Sequence, residues 1–142
     1  MKEYFSIKFD KKEKIVSEIR NLIYMDESVL FVYLFGSFLN NLTLRDIDIG
    51  VYLKNIKQDK VDHYEVELSR KISKVIEMPF DIIEVKILNF APVSFLNSIF
   101  KNGKLLFSRN DELLSGLIEE SSIHALFNEY IREQSLKELV PK

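Results

Sequence analysis

VLFVYLFGS at residues 29–37 and DIDIGVYL at residues 46–53 decide how this chain folds. The first stretch is seven consecutive apolar residues, rich in β-branched and aromatic types and stopped by Gly36-Ser37. A short apolar run bounded by turn residues suits a strand buried on both faces. The second stretch reads as a strand from Ile47 to Leu53. Its short connection to the first favours antiparallel pairing, which brings Gly36-Ser37 to the same sheet edge as Asp46 and Asp48. Successive side chains on a strand alternate faces, so Asp46 and Asp48 share one face while Ile47 and Ile49 point to the core.

Outward from this pair, helical signals alternate with strand signals. Asp10 and Glu13 have capping-box spacing, and Ile15, Val16, Ile19, Leu22 and Ile23 follow a helical period toward Met25. Asp59 is placed to cap a helix with Val61, Tyr64, Leu68, Ile72 and Val75 on one face. Pro79 ends that region, and Phe80 to Val85 reads as a third strand. Pro92 opens a helix to about Phe100, Asn102-Gly103 is a turn, and Lys104 to Phe107 is a last short strand. From Asp111 the chain is helical to about Leu139. The stripe Leu113, Leu114, Leu117, Ile118 resumes out of phase as Ile123, Leu126, Phe127, Tyr130, Ile131. The slip at Ser121-Ser122 leaves two arrangements open. The second stripe docks on another chain or a second copy, or the helix breaks and folds back onto the same core.

These elements give an α/β (α+β) chain, with a small mixed sheet flanked by helices. Residues 1–142 form one domain, with 111–142 a helical C-terminal extension; that length is ordinary for one domain. The absence of cysteine excludes disulfides, thiolate metal sites and a cysteine nucleophile. A formal charge of −2 argues against a broad electrostatic footprint for nucleic acid. Residues 1–14 lack the apolar core of a signal peptide, and no apolar run approaches the ~20 residues of a membrane span. The expected location is the cytoplasm, with no membrane and no nucleic-acid partner.

The chemistry concentrates at the edge shared by Gly36, Ser37, Asp46 and Asp48. Crowded carboxylates repel, and a divalent cation with a preference for hard oxygen ligands is the usual compensation. A helical crossover makes the second and third strands parallel, which returns Asp81 to the same edge. Glu84 falls on the opposite face of a continuous strand from Asp81 and reads as an exposed charge. Gly36 allows close backbone approach to a phosphate, Ser37 offers a hydroxyl and an amide, and a helical turn over Phe38 to Asn41 would add free amides. Three carboxylates and a Gly-Ser turn drawn from separate segments describe a metal-dependent phosphoryl or nucleotidyl transfer site. Each piece alone has a plainer reading: a strand-ending turn for Gly36-Ser37, a solvated strand face for the Asp pair. His63 reads as solvated, His124 sits near the slip in the last helix, and neither approaches the acidic edge; Arg45 could contact a phosphate but reads rather as a screen for the acids.

Gly36-Ser37, eight intervening residues, then Asp46-Ile47-Asp48 resembles the GS…DxD signature of the polymerase-β-like nucleotidyltransferases. The small size resembles the minimal nucleotidyltransferases (MNT) of bacteria and archaea. The likeness runs from about Val29 to Phe107, with Phe80-Asp81-Ile82-Ile83 matching the third-carboxylate strand. Asn89 to Pro92 and Gly103 to Phe107 resemble later segments. The spacer Phe38 to Arg45 is shorter than is common in MNT antitoxins and lacks the Arg and Gly that often follow the GS pair. Arg45 stands where Ser is frequent.

The resemblance implies the polymerase-β-like nucleotidyltransferase fold and transfer of AMP from ATP held with two Mg²⁺ ions. Minimal members act as antitoxins toward HEPN ribonuclease toxins, by adenylylating a toxin tyrosine and by binding the toxin. Carried over, Asp46 and Asp48 hold the metals, Asp81 completes the site and helps activate the acceptor hydroxyl, and Gly36 and Ser37 bind the nucleotide. The alternative is a binding module that neutralises its partner by occlusion, with catalysis weak or lost and the C-terminal stripe as its interface or oligomer contact.

Overall fold

The computed structural model describes residues 2–36 and 46–139. The expectations for Ser37, for Arg45 and for a turn over 38–41 lie outside the described residues. The elements run α1 (Lys2–Tyr24), β1 (Val29–Phe35), β2 (Ile47–Leu53), α2 (Val61–Ile76), β3 (Ile83–Ile87), α3 (Val93–Asn102), β4 (Lys104–Ser108) and α4 (Asp111–Leu139). The sheet order is β3-β2-β1-β4. β1 is antiparallel to both neighbours, and β2 and β3 are parallel, as the helical crossover requires. This is the mixed α+β architecture expected from the sequence.

β1 carries the core on both faces. Val29, Val32 and Leu34 join Ile15, Ile19, Ile23 of α1 and Leu68, Ile72, Ile76 of α2 on one side. Phe31 and Tyr33 meet Leu96 and Ile99 of α3 and Leu114 of α4 on the other. Phe31 stacks on Tyr52, with ring centroids 4.9 Å apart. β2 splits by parity: Ile47, Ile49, Val51 and Leu53 enter the first cluster, leaving Asp48, Gly50 and Tyr52 on the second face.

Polar side chains close the strand ends. The Asn89 side chain accepts from the Leu53 amide at 2.9 Å and donates to the Leu53 carbonyl at 2.8 Å, standing in for a strand partner. Glu65 of α2 accepts from the Ile87 amide at 2.9 Å. The last turn of α1 contains no basic residue. Arg109 supplies that charge from beyond β4, donating to the carbonyls of Tyr24, Asp26 and Val29.

Several expected boundaries shift. α1 begins at Lys2 and runs through Asp10, because no Gly or Pro upstream stops it. Asp59 lies in a 3₁₀ turn over Gln58–Lys60 and does not cap α2 with its side chain. The buried face of α2 is Leu68, Ser69, Ile72 and Ile76, while Val75 is exposed. The third strand starts at Ile83 rather than Phe80, since Phe80–Ile82 form a 3₁₀ turn behind Pro79.

α4 is one continuous helix, with no break at Ser121-Ser122. The Ser121 hydroxyl is satisfied inside the helix by the Ile118 carbonyl, 3.0 Å away. Leu114, Leu117 and Ile118 pack on the second cluster. Ile123, Leu126 and Phe127 each follow one of these by nine residues, about two and a half turns, and so face the opposite way. The out-of-phase stripe therefore points away from the core. Ile123, Leu126, Phe127, Tyr130 and Ile131 are 46–66% exposed. Among the described residues no helix is long and apolar enough to cross a membrane.

Candidate active site

The site assembles where β1 ends and β2 and β3 begin. Phe35 pairs with Asp48 across β1 and β2, and Asp48 pairs with Glu84 across β2 and β3. Gly36 follows Phe35 with φ +81°, a conformation that side-chain-bearing residues avoid. A Cβ at Gly36 would run into Oδ2 of Asp48 and lie 3.2 Å from its Cγ. The glycine thus makes room for the Asp48 carboxylate itself, a more immediate reason than the phosphate approach expected from the sequence.

Asp46 is exposed just before β2, and Asp48 is half-buried within it. Asp81 is exposed on the 3₁₀ turn that precedes β3, at the end of the sheet where Asp46 precedes β2. Glu84, one residue into β3, lies beside Asp48 on the same face. The sequence reading measured its face against Asp81 in an unbroken strand, and the turn at Phe80–Ile82 removes that parity. The signal was still present. Ile47-Asp48-Ile49 and Ile83-Glu84-Val85 repeat one apolar–acid–apolar pattern, and both put their apolar members in the same cluster.

Burial raises the Asp48 carboxyl to about pKa 6, helped by the Glu84 charge, a hydrogen bond with Glu84 and the Asp46 charge; Lys86 opposes the shift. The Lys86 ammonium is 3.5 Å from Glu84. Among the described residues no three His, Cys, Asp or Glu side chains already form a metal cluster. Mg²⁺ does not require one, since it is commonly held by one or two carboxylates together with waters and substrate phosphates. A partly desolvated carboxylate held against two like charges fits a hard divalent cation, whose charge would relieve the repulsion.

Asp48 makes stability depend on pH in a defined direction. Its folded-state pKa of about 6 lies above the ordinary 3.8, so the protonated group favours folding below pH 3.8. That contribution is lost as pH rises toward 6. With metal chelated, Asp48→Asn is expected to raise Tm by a few degrees above pH 6. This corresponds to about 1 kcal/mol once solvent screening of the partly exposed group is discounted. The gain should vanish near pH 3.5, and thermal unfolding across pH checks it; a lower Tm for the variant at pH 8 contradicts it. Gly36→Val is expected to cost roughly 1–3 kcal/mol through its positive φ, while displacing Asp48. Titration calorimetry of the folded variant with ATP and Mg²⁺ should show weakened binding, and unchanged stability and affinity would leave the glycine without a role.

No curated protein matches the chain in sequence. Solved structures do match in fold. A Shewanella oneidensis complex of tri-AMPylated HEPN toxin with MNT antitoxin aligns at 19% identity and TM-score 0.58, covering 93% of this chain and 98% of the other. A toxin–antitoxin complex with AMP-PNP aligns at 18% identity and TM-score 0.61, covering 90% and 97%. The MntA–HepT toxin–antitoxin aligns at 18% identity and TM-score 0.57, covering 91% and 96%. The family model for polymerase beta nucleotidyltransferases matches residues 17–112, more than half of the chain. With Gly36 just after β1 and Asp46 and Asp48 at the start of β2 in the observed mixed sheet, this chain belongs to the polymerase beta nucleotidyltransferase family.

Proposed function

We propose that the chain transfers AMP from ATP to a hydroxyl of a partner protein, a tyrosine of a HEPN ribonuclease toxin, and serves as that toxin's antitoxin in the cytoplasm. The observation that carries this reading is the Asp48 carboxylate, seated in the space left by Gly36 and crowded by Asp46 and Glu84. The fold shared with an MNT antitoxin solved beside a tri-AMPylated HEPN toxin, and with a toxin–antitoxin complex solved with AMP-PNP, supports the substrate and the partner.

In this reading Asp46, Asp48 and Asp81 hold Mg²⁺, and Gly36 with Ser37 binds the triphosphate. Bound Mg²⁺ supplies charge neutralisation on the triphosphate and alignment of the α-phosphorus. The protein's own contribution is position and charge: β1 and β2 fix Gly36 against Asp48, and Glu84 keeps negative charge concentrated there.

The outward stripe of α4 is the proposed seat of the toxin. Residues 111–139 carry seven acidic side chains against Arg132 and Lys137. A second copy would bring acid against acid, whereas a ribonuclease carries basic surface to hold a phosphate backbone. An apolar stripe with acidic flanks complements such a partner.

Asp46→Asn combined with Asp48→Asn is expected to abolish Mg²⁺-dependent AMP transfer, read as label from α-³²P-ATP on the toxin, while the fold is retained. Full transfer by the double variant overturns the enzymatic reading; toxin neutralised without transfer by the wild type favours the occlusion reading. Phe127→Glu should leave the fold intact, because Phe127 is 60% exposed, and should weaken toxin capture at least tenfold. Unfolding of this variant contradicts the surface assignment, and loss of a wild-type homodimer in the variant would make the occupant a second copy.

A further inference from the structure

At the end of the sheet away from the carboxylates lies an open cleft of ≈590 Å³, a volume in the range of ordinary small-ligand sites. Leu53, the buried last residue of β2, forms its floor with the half-buried Ile56 and Tyr64. Lys57, Lys60, His63 and Lys71 stand exposed on its rim, and Ser28 and Asn55 add polar groups. Lys60, Tyr64, Glu67 and Lys71 have the spacing of one helix face, which turns them together toward the cleft. None of Gly36, Asp46, Asp48, Asp81 or Glu84 lines it. Asp48 and Leu53 are five residues apart on β2, roughly 17 Å along the strand. The cleft is therefore a separate place from the carboxylate site.

Its charge is the reverse of the carboxylate end. Glu67 is the only acid in the lining among the described residues, and Arg70 pairs with it at 3.8 Å. Asp59 and Asp62, the nearest acids in sequence to Lys60, do not line the cleft. Asp26 lies behind the wall. It accepts from the Ser28 amide at 3.0 Å, the Ser28 hydroxyl at 2.6 Å and the Tyr64 hydroxyl at 2.9 Å, which fixes both lining residues in place. The Lys71 charge acts on Asp26. Lys57 and Lys60 make no ion pair among the described residues. Two uncommitted ammonium groups over an apolar floor suit an anion with adjacent charges, and lysine binds phosphate as a point charge.

We propose that this cleft binds a metal-free polyphosphate, with Lys57 and Lys60 on its phosphates. Pyrophosphate and the phosphate tail of a nucleotide share that chemistry. The two ends of the sheet then divide polyphosphates by charge. The bare anion is repelled by Asp46, Asp48 and Glu84 and attracted by the lysines. Mg²⁺ cancels much of the phosphate charge, which weakens the hold of the lysines and, in the transfer reading above, directs the complex to the carboxylates. The cleft itself does not rest on that reading, because it needs neither the metal nor the acids.

The test is an amide NMR titration of pyrophosphate, and separately of ATP, into the full chain in metal-free buffer. Both should shift Ser28 and residues 55–64 and leave Gly36, Asp48 and Glu84 in place, and excess Mg²⁺ should reverse the shifts at 55–64. Tighter binding of ATP identifies a nucleotide tail as the ligand, and equal affinity identifies pyrophosphate. Lys57→Gln combined with Lys60→Gln should fold as the wild type, since both side chains are exposed, and should lose about tenfold in affinity for either anion. Adenosine should not bind. Absence of shifts, shifts spread over every exposed lysine, equal binding of adenosine, persistence under excess Mg²⁺ or unchanged affinity in the double variant each overturn the proposal. Those outcomes leave the Mg²⁺-dependent transfer reading standing, and failure of transfer leaves this metal-free site standing.

Discussion

Gly36 and Asp48 compete for one volume at the place where β1 ends and β2 begins, and the chain resolves the competition by giving Gly36 no side chain. The backbone there adopts a positive φ that other residues resist. The space is taken by a carboxylate with Asp46 and Glu84 as like-charged neighbours. Such an arrangement raises the free energy of the isolated fold. In the function proposed above, that charge serves to hold a cation together with the triphosphate.

The rest of the architecture holds that arrangement still. β1 is packed on both faces, with Val32 and Leu34 on one side and Phe31 and Tyr33 on the other, so the end that carries Gly36 cannot shift independently. β3 reaches the site only through the crossover helix α2, whose Ile72 and Ile76 lock it to the first cluster. Asn89 and Glu65 finish β2 and β3 with side-chain hydrogen bonds. The site end is left open, and the opposite end is tied by Arg109 to three carbonyls. Rigidity beneath and access above are what a transfer site on a sheet edge calls for.

The two central strands were legible because their signals are local. An unbroken apolar run and an alternating one each have a single reading, and the observed bounds Val29–Phe35 and Ile47–Leu53 match both. The elements that moved depend on what lies beyond the local window. Asp10 has the chemistry of a cap, yet nothing before it stops the helix. Pro79 permits a strand at Phe80, but pairing with β2 begins only at Ile83. That short displacement hid Glu84, because parity counted from Asp81 gave the wrong face. The out-of-phase stripe of α4 was visible as a slip in the sequence. Whether it broke the helix or faced outward is a tertiary question, settled by Leu114, Leu117 and Ile118 occupying the core.

The central claim is that metal and nucleotide assemble at the ends of β1, β2 and β3 around Asp48. Replacing Mg²⁺ by paramagnetic Mn²⁺, with a non-hydrolysable ATP analogue, tests it directly through selective broadening of amide NMR signals. The account predicts that Gly36, Ile47 to Ile49, Ile83 and Glu84 broaden first, at the lowest Mn²⁺ concentration. Residues at the far end of the sheet, such as Leu53 and Tyr64, should stay sharp. Broadening centred at that far end, or spread evenly over the acidic surface of α4, would contradict it.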